Sequence, residues 1–216
     1  MTGIMWTEIE LFLATLLYIA FLVKLARRWL PKSALVGVIA LALITAMVPL
    51  NNLVIGAYIF SITSHLSIST SLLLIACIVL SCSGAHSKVL TELWQSSHQW
   101  LVLTIFFAIT GLLLYPLASG LTLFDPYRLG YTGSASYAIL PLYLMLWTMV
   151  SLWRAWHLLT ALLVCSVIAF YLKILPSVNL WDYVMDPLVF IYSLTHLLKK
   201  LATGLLKLRH SNKRDY

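Results

Sequence analysis

Seven apolar runs separated by short polar breaks dominate this chain, and they decide which solvent it can fold in. The runs cover roughly 9–27, 33–50, 66–83, 100–117, 136–153, 157–175 and 185–203. Each approaches the roughly 20 residues an α-helix needs to cross about 30 Å of hydrocarbon. None alternates as barrel strands do. A backbone in lipid must satisfy its own hydrogen bonds, so helix is expected throughout. With 62% apolar and 10% charged residues, a water-soluble fold of 216 residues could not hide this much apolar surface. The expected fold class is all-α: a polytopic transmembrane bundle of about seven spans over residues 1–203, followed by a basic cytoplasmic tail over 204–216. Six spans plus a C-terminal interfacial helix is the alternative.

Basic side chains resist translocation and so report orientation. Threading the seven runs from outside to inside puts Lys24, Arg27, Arg28, Lys32, Lys88, Arg154, Lys199, Lys200, Lys207, Arg209, Lys213 and Arg214 in the cytoplasm, leaving only Arg128 and Lys173 outside. Dropping one span would invert everything after it. The acidic residues Glu8, Glu10, Asp125, Asp182 and Asp186 fall outside, a weaker signal because acids contribute little to orientation. The first run is preceded by acids and followed by cations, the reverse of a secretion signal, so it is expected to remain as an anchor with the N-terminus outside. Multi-pass insertion in the cell membrane, the inner membrane of a bacterium, is the expected location. The net charge of +7 sits at the ends of apolar runs, which argues against nucleic acid as a partner.

The last run is the least regular. Asp186-Pro187 reads as an N-cap with proline at the first helical position. Leu194, Leu197, Leu198, Leu201, Leu205 and Leu208 then mark one face, and Ser193, His196, Lys200, Thr203 and Lys207 another. The early Lys199-Lys200 pair suggests a short span handing over to a basic amphipathic helix on anionic inner-leaflet lipids.

Three external segments hold nearly all the distinctive polar residues. Asn51-Asn52 through His65 is too apolar for a free loop and too short to span, so it is expected to pack against the bundle. The other two, 124–131 and 179–187, each contain an Asp-Pro step and several aromatics. If they converge, Arg128 could hold an anionic group bidentately, and Asp125, Asp182 and Asp186 could supply a general base or bind a cation. Asn51, Asn52, His65, Tyr127, Tyr131, Asn179, Trp181 and Tyr183 would line a site for a lipid head group or sugar. The structural alternative is that Asp125 and Asp186 cap helices, Arg128 pins loops to an acid, and the aromatics form an outer belt.

Near the inner face, Cys82 and His86 are four apart and share a helical face, and with His98 they suggest zinc. A convincing fourth ligand is missing, so no metal and no cofactor is expected. Cys82 or Ser83 with a histidine base is a further nucleophile pattern, without the wider spacing such enzymes show. The three cysteines read as small core residues. Small size, compact loops and the lack of a recognisable catalytic set favour a non-catalytic accessory or assembly component. Membrane lipids and a membrane-protein partner at its outer face are the expected contacts. The alternatives are an enzyme acting on a lipid-linked or periplasmic substrate through the Asp/Arg set, and a small transporter or channel in which His196 would be the intramembrane titratable group.

Overall fold

A computed structural model describes residues 3–63, 65–82, 96–121, 124–133 and 136–211. Among them the chain is all-helical, with two isolated β-bridges and no strand. The helices are α1 (Gly3–Ala26), α2 (Lys32–Met47), α3 (Ile55–Thr63), α4 (Ile68–Cys82), α5 (Ser97–Pro116), α6 (Ile139–Trp153), α7 (His157–Tyr171), α8 (Trp181–Val184) and α9 (Pro187–Ser211). A π-helical turn over Leu117–Leu121 extends α5, and a 3-10 turn over Pro126–Gly130 follows.

Two helices are long and apolar enough to cross a membrane: Glu8–Ala26 within α1, and Ser97–Ser119, which is α5 with its π extension. Four others, α2, α4, α6 and α7, are apolar but only 15 or 16 residues long. At 1.5 Å per residue these reach roughly 22–24 Å, short of about 30 Å of hydrocarbon. The expected runs of 18 or 19 residues are cut back by specific terminators. Pro49 stops α2 at Met47. The Ser67 hydroxyl accepts from the Thr70 amide at 3.1 Å and starts α4 two residues inside its run. α6 starts three residues inside its run and ends at Trp153 as expected, while α7 stops four residues short; both close through left-handed residues that are not glycine, Ala155 (φ 54°) and Lys173 (φ 53°). Their bonds are those of a Schellman cap: Trp156 to Ser151 and Ala155 to Leu152, then Ile174 to Ala169 and Lys173 to Phe170.

The core lies between α4, α5, α6 and α7, where Phe106, Phe107, Leu103, Leu140, Leu144, Leu159 and Leu163 are buried. α7 packs on α4, α5, α6 and α8, while α1 gathers α2, α3 and α4 around it. Helices approach closely where a side chain is missing. A Cβ on Gly111 of α5 would lie 2.2 Å from Phe190 Cδ2 of α9, and one on Gly56 of α3 would lie 2.9 Å from the Leu11 carbonyl of α1. Small hydroxyls bridge neighbours: Ser69 to Ser166 at 3.0 Å joins α4 to α7, and Thr110 to Tyr143 at 2.8 Å joins α5 to α6. Ser151 to Thr160 at 2.7 Å closes the α6–α7 hairpin. Small residues and hydroxyl bridges are how helices associate where lipid removes the hydrophobic drive between them.

The outside of the bundle is apolar. Phe12, Phe21, Ile44, Leu113, Met149 and Ile168 are each more than half exposed. In the most apolar window of α1 only 28% of residues are buried, unlike the core helix of a soluble protein. Exposed apolar surface on this scale requires a partner or lipid.

α9 differs from expectation. It runs unbroken for 25 residues, Pro187–Ser211, with no break between a short span and a separate interfacial helix. Its buried face also differs. Val189 and Ser193 are buried, whereas Leu198 and Leu201 are exposed. Phe190 seats over Gly111, and around it Ser193 is buried, Leu194 and Leu197 are half-buried, and Leu198 and Leu201 lie outside. The side chains from residue 205 onward, and residues 83–95 with Ser83 and His86 of the expected zinc and nucleophile patterns, lie outside the described residues.

Candidate functional site

Two of the three polar segments fold into one hydrogen-bonded unit. The Asp125 carboxylate accepts from the Tyr127 amide at 2.9 Å, capping the 3-10 turn that Pro126 begins. That turn presents the Tyr127 hydroxyl to Asp182 Oδ1 at 2.5 Å, while Asp182 Oδ2 accepts from the Ser177 hydroxyl. Asn179, almost fully buried, locks the register: its Nδ2 donates to the Tyr127 carbonyl at 3.0 Å and its Oδ1 accepts from the Trp181 amide at 2.9 Å. The Trp181 indole donates to the Pro126 carbonyl at 3.0 Å, and the Leu180 amide to the Gly130 carbonyl at 2.9 Å. Gly130 has no alternative here, because a Cβ would lie 1.8 Å from Asn179 Oδ1. Tyr127 and Tyr131 meet edge to face at 5.7 Å, and Tyr131 bridges back to Asn179.

Burial sets the electrostatics of this knot. It pushes the Tyr127 hydroxyl well above the ordinary tyrosine range, helped by the bond to Asp182. Tyr183 is raised too, mainly by burial, which outweighs the opposing Leu175 backbone N–H; its hydroxyl donates to the Leu175 carbonyl at 2.6 Å. The Tyr183 hydroxyl also accepts from the Leu175 amide at 3.1 Å, so one side chain ties off the whole 175–183 loop.

Asp186 belongs to a second, neighbouring node. Its Oδ1 accepts from the Val189 amide at 2.9 Å as the N-cap of α9, and its Oδ2 accepts from the Ser67 amide at 2.8 Å at the start of α4. Two residues earlier, His65 Nδ1 lies 2.6 Å from Glu10 Oε1 of α1, and the His65 ring meets Phe60 edge to face at 5.4 Å. Glu10 is buried and Oε1 has no hydrogen-bond partner besides this contact, so the short 65–67 segment is gripped from two sides.

Asn51 and Asn52 stand apart from both nodes. Both have positive φ (47° and 68°) between Leu50 and Leu53, whose amides and carbonyls pair at 2.8 and 3.0 Å. Such a pair of left-handed residues is the two-residue turn that asparagine favours, and it supplies a reason for both residues that needs no ligand. The Tyr58 hydroxyl donates to the Leu50 carbonyl at 2.6 Å, folding the turn onto α3.

The structure thus joins Asp125, Tyr127, Tyr131, Asn179, Trp181, Asp182 and Tyr183, and places Asp186 with His65 in the adjacent node. Arg128 is exposed on the 3-10 turn, with no ion pair among the described residues. Sequence reading named neither Ser177 nor Ser67. The spacing Ser177-x-Asn179 before a helix was the available signal for the first, since such residues fold back on their own amides, as the Asn179 amide does on Ser177 at 3.0 Å. Beneath the knot an apolar cavity of about 230 Å³ opens between α5 and α6, lined by Trp181, Pro126, Leu129, Leu114 and Leu140 among others.

At the opposite end Gln99 of α5 donates to the Ala155 carbonyl at 2.9 Å and accepts from the Leu158 amide at 3.4 Å. Arg154 lies over Trp153 and Trp156 at about 6 Å from each ring. His98 sits beside Trp156, and His196 stacks on Tyr192. Among the described residues no three His, Cys, Asp or Glu side chains converge as a metal site would require. Compared with protein families, characterised proteins and solved structures, the chain shows no match.

Proposed function

We propose that this chain is a seven-span integral membrane protein, N-terminus outside, that serves as a non-catalytic component binding a membrane-protein partner at its outer end. The observation that carries this reading is how the external carboxylates are used. Asp125 and Asp186 accept from backbone amides, and Asp182 accepts from Tyr127 and Ser177. A general base must reach a substrate proton, and carboxylates already engaged in holding the fold are poorly placed for that. Left facing outward are Arg128, Tyr131 and Phe124, the cation and aromatics that protein interfaces favour.

The seven-span topology draws support from which ends meet. Contacts gather positions 10, 65, 67, 127–131 and 179–186 at one end, and 99, 155 and 158 at the other, as alternating passages require. The short helices are compatible with spanning if residues at their ends snorkel and the bilayer thins locally.

The test has two arms. A reporter active only in the cytoplasm, fused after Tyr216, is expected to be active; activity of an extracytoplasmic reporter there would overturn the topology. Arg128→Ala is expected to leave thermal stability unchanged while abolishing photo-crosslinking from position 131 to a discrete membrane protein. A folded Asp182→Ala variant with wild-type stability and a lost membrane activity would instead make Asp182 catalytic.

A further inference from the structure

A recess of about 450 Å³ opens on the side of the bundle between α1 and α9, with α4 and α5 as its remaining walls. It is within the roughly 300–1,000 Å³ typical of sites for small ligands. Leu17, Phe21, Leu74 and Tyr192 give it an apolar lining, and Ala20 and Val189, both buried, make it a recess instead of a flat face. Lys24 and Trp100 line it at the end that the topology assigns to the cytoplasm, and the Thr70 hydroxyl, bonded to Ser67, lies toward the other. Lys24 is exposed, with no carboxylate paired to it among the described residues. Arg27, Arg28 and Lys32 follow within the next eight positions of the chain.

We propose that this recess binds one anionic phospholipid of the inner leaflet, an acyl chain along α4 and its phosphate at Lys24. Charge complementarity selects the occupant. An apolar trough alone would accept any tail, but a cation and an indole at its mouth match a phosphate at headgroup depth, and three more cations close by exclude a cationic surface. A second copy of this chain would bring the same basic cluster against itself. The recess uses the first turns of α9, apart from its basic Lys199-Lys200 stretch and from the outer knot. Its assignment to the inner leaflet rests on the proposed topology; the binding itself does not.

Full-length protein in detergent, titrated with phosphatidylglycerol or phosphatidylcholine and read by native mass spectrometry, tests the assignment. One phosphatidylglycerol should bind with a preference of about fivefold or more, as one well-placed cation implies. Lys24→Gln should bring the two lipids to parity. Leu74→Trp, which fills the trough, should remove the adduct. If that variant fails to fold, Phe21→Asp on the exposed rim gives the same readout. Equal binding of both lipids, an unchanged preference in Lys24→Gln, or a lipid-free dimer that loses its contact on Phe21→Asp would each overturn the proposal. Lipid retention with an extracytoplasmic C-terminus would move the site to the other leaflet and refute only the topology.

Discussion

Tyr127 and Asp182, 55 residues apart in sequence, share a 2.5 Å hydrogen bond that joins the loop before α6 to the short helix before α9. Asp182 also accepts from Ser177, so one carboxylate organises both segments. Hydrogen bonds to a charged acceptor contribute about 1.5–3 kcal/mol. Asp182→Ala should therefore destabilise the protein by about 2–3 kcal/mol and Tyr127→Phe by about 1–2 kcal/mol. The double variant should lose less than the sum. Thermal unfolding in detergent, followed by tryptophan fluorescence, measures the coupling, and strict additivity would show that the two groups act independently.

The same pair predicts alkaline behaviour. Burial, then the bond to Asp182, holds the Tyr127 proton more tightly in the folded state than in the unfolded chain, where tyrosine titrates near 10. This contribution to stability is fully present below about pH 10 and is lost as pH rises through the higher folded value. Unfolding temperature should fall above about pH 10 in the wild type and less steeply in Tyr127→Phe. Parallel slopes would remove Tyr127 as the titrating group.

Asp186 does two structural jobs with one side chain, capping α9 and holding the start of α4. Asp186→Ala loses a cap, about 1 kcal/mol, and leaves the buried Ser67 amide without its acceptor, about 1–3 kcal/mol more. A combined loss of about 2–4 kcal/mol is expected, against about 0.6 kcal/mol for Ser69→Ala, which removes an ordinary interhelical hydroxyl bond. Equal effects from the two variants would contradict this ranking.

Gly111 sets the distance between α5 and α9. Alanine there would improve helix propensity by about 1 kcal/mol, yet its Cβ falls 2.2 Å from the Phe190 ring. The clash should dominate, with Gly111→Ala destabilising by about 1–3 kcal/mol and Phe190→Leu restoring part of that in the double variant. Stabilisation by Gly111→Ala alone would mean that the two helices can separate freely.

Some of this was legible in the residues. Asp-Pro steps announced both caps, because a carboxylate before proline is suited to the first turn of a helix, and Asp125 and Asp186 do cap. Asn51-Asn52 was legible as polar but not as a turn until both φ values were known. The end of α7 was hidden, because Lys173 occupies the left-handed position where glycine is the usual signal, whereas α6 ends at Trp153, where its apolar run ends. The inward turn of Ser193 was hidden too: leucines and serine alternate around α9, and only Phe190 meeting Gly111 decides which stripe faces the bundle.

Composition and periodicity alone determined that the chain is helical and that its surface is apolar, because hydropathy is a local property summed along each run. Which polar residues meet is not local. Whether Asp182 faces a ligand or Tyr127, and whether α1 and α9 close over α4 or leave a recess, depends on packing between segments distant in the chain. Only the tertiary structure decides that, since such contacts form where shape and hydrogen bonding are satisfied together.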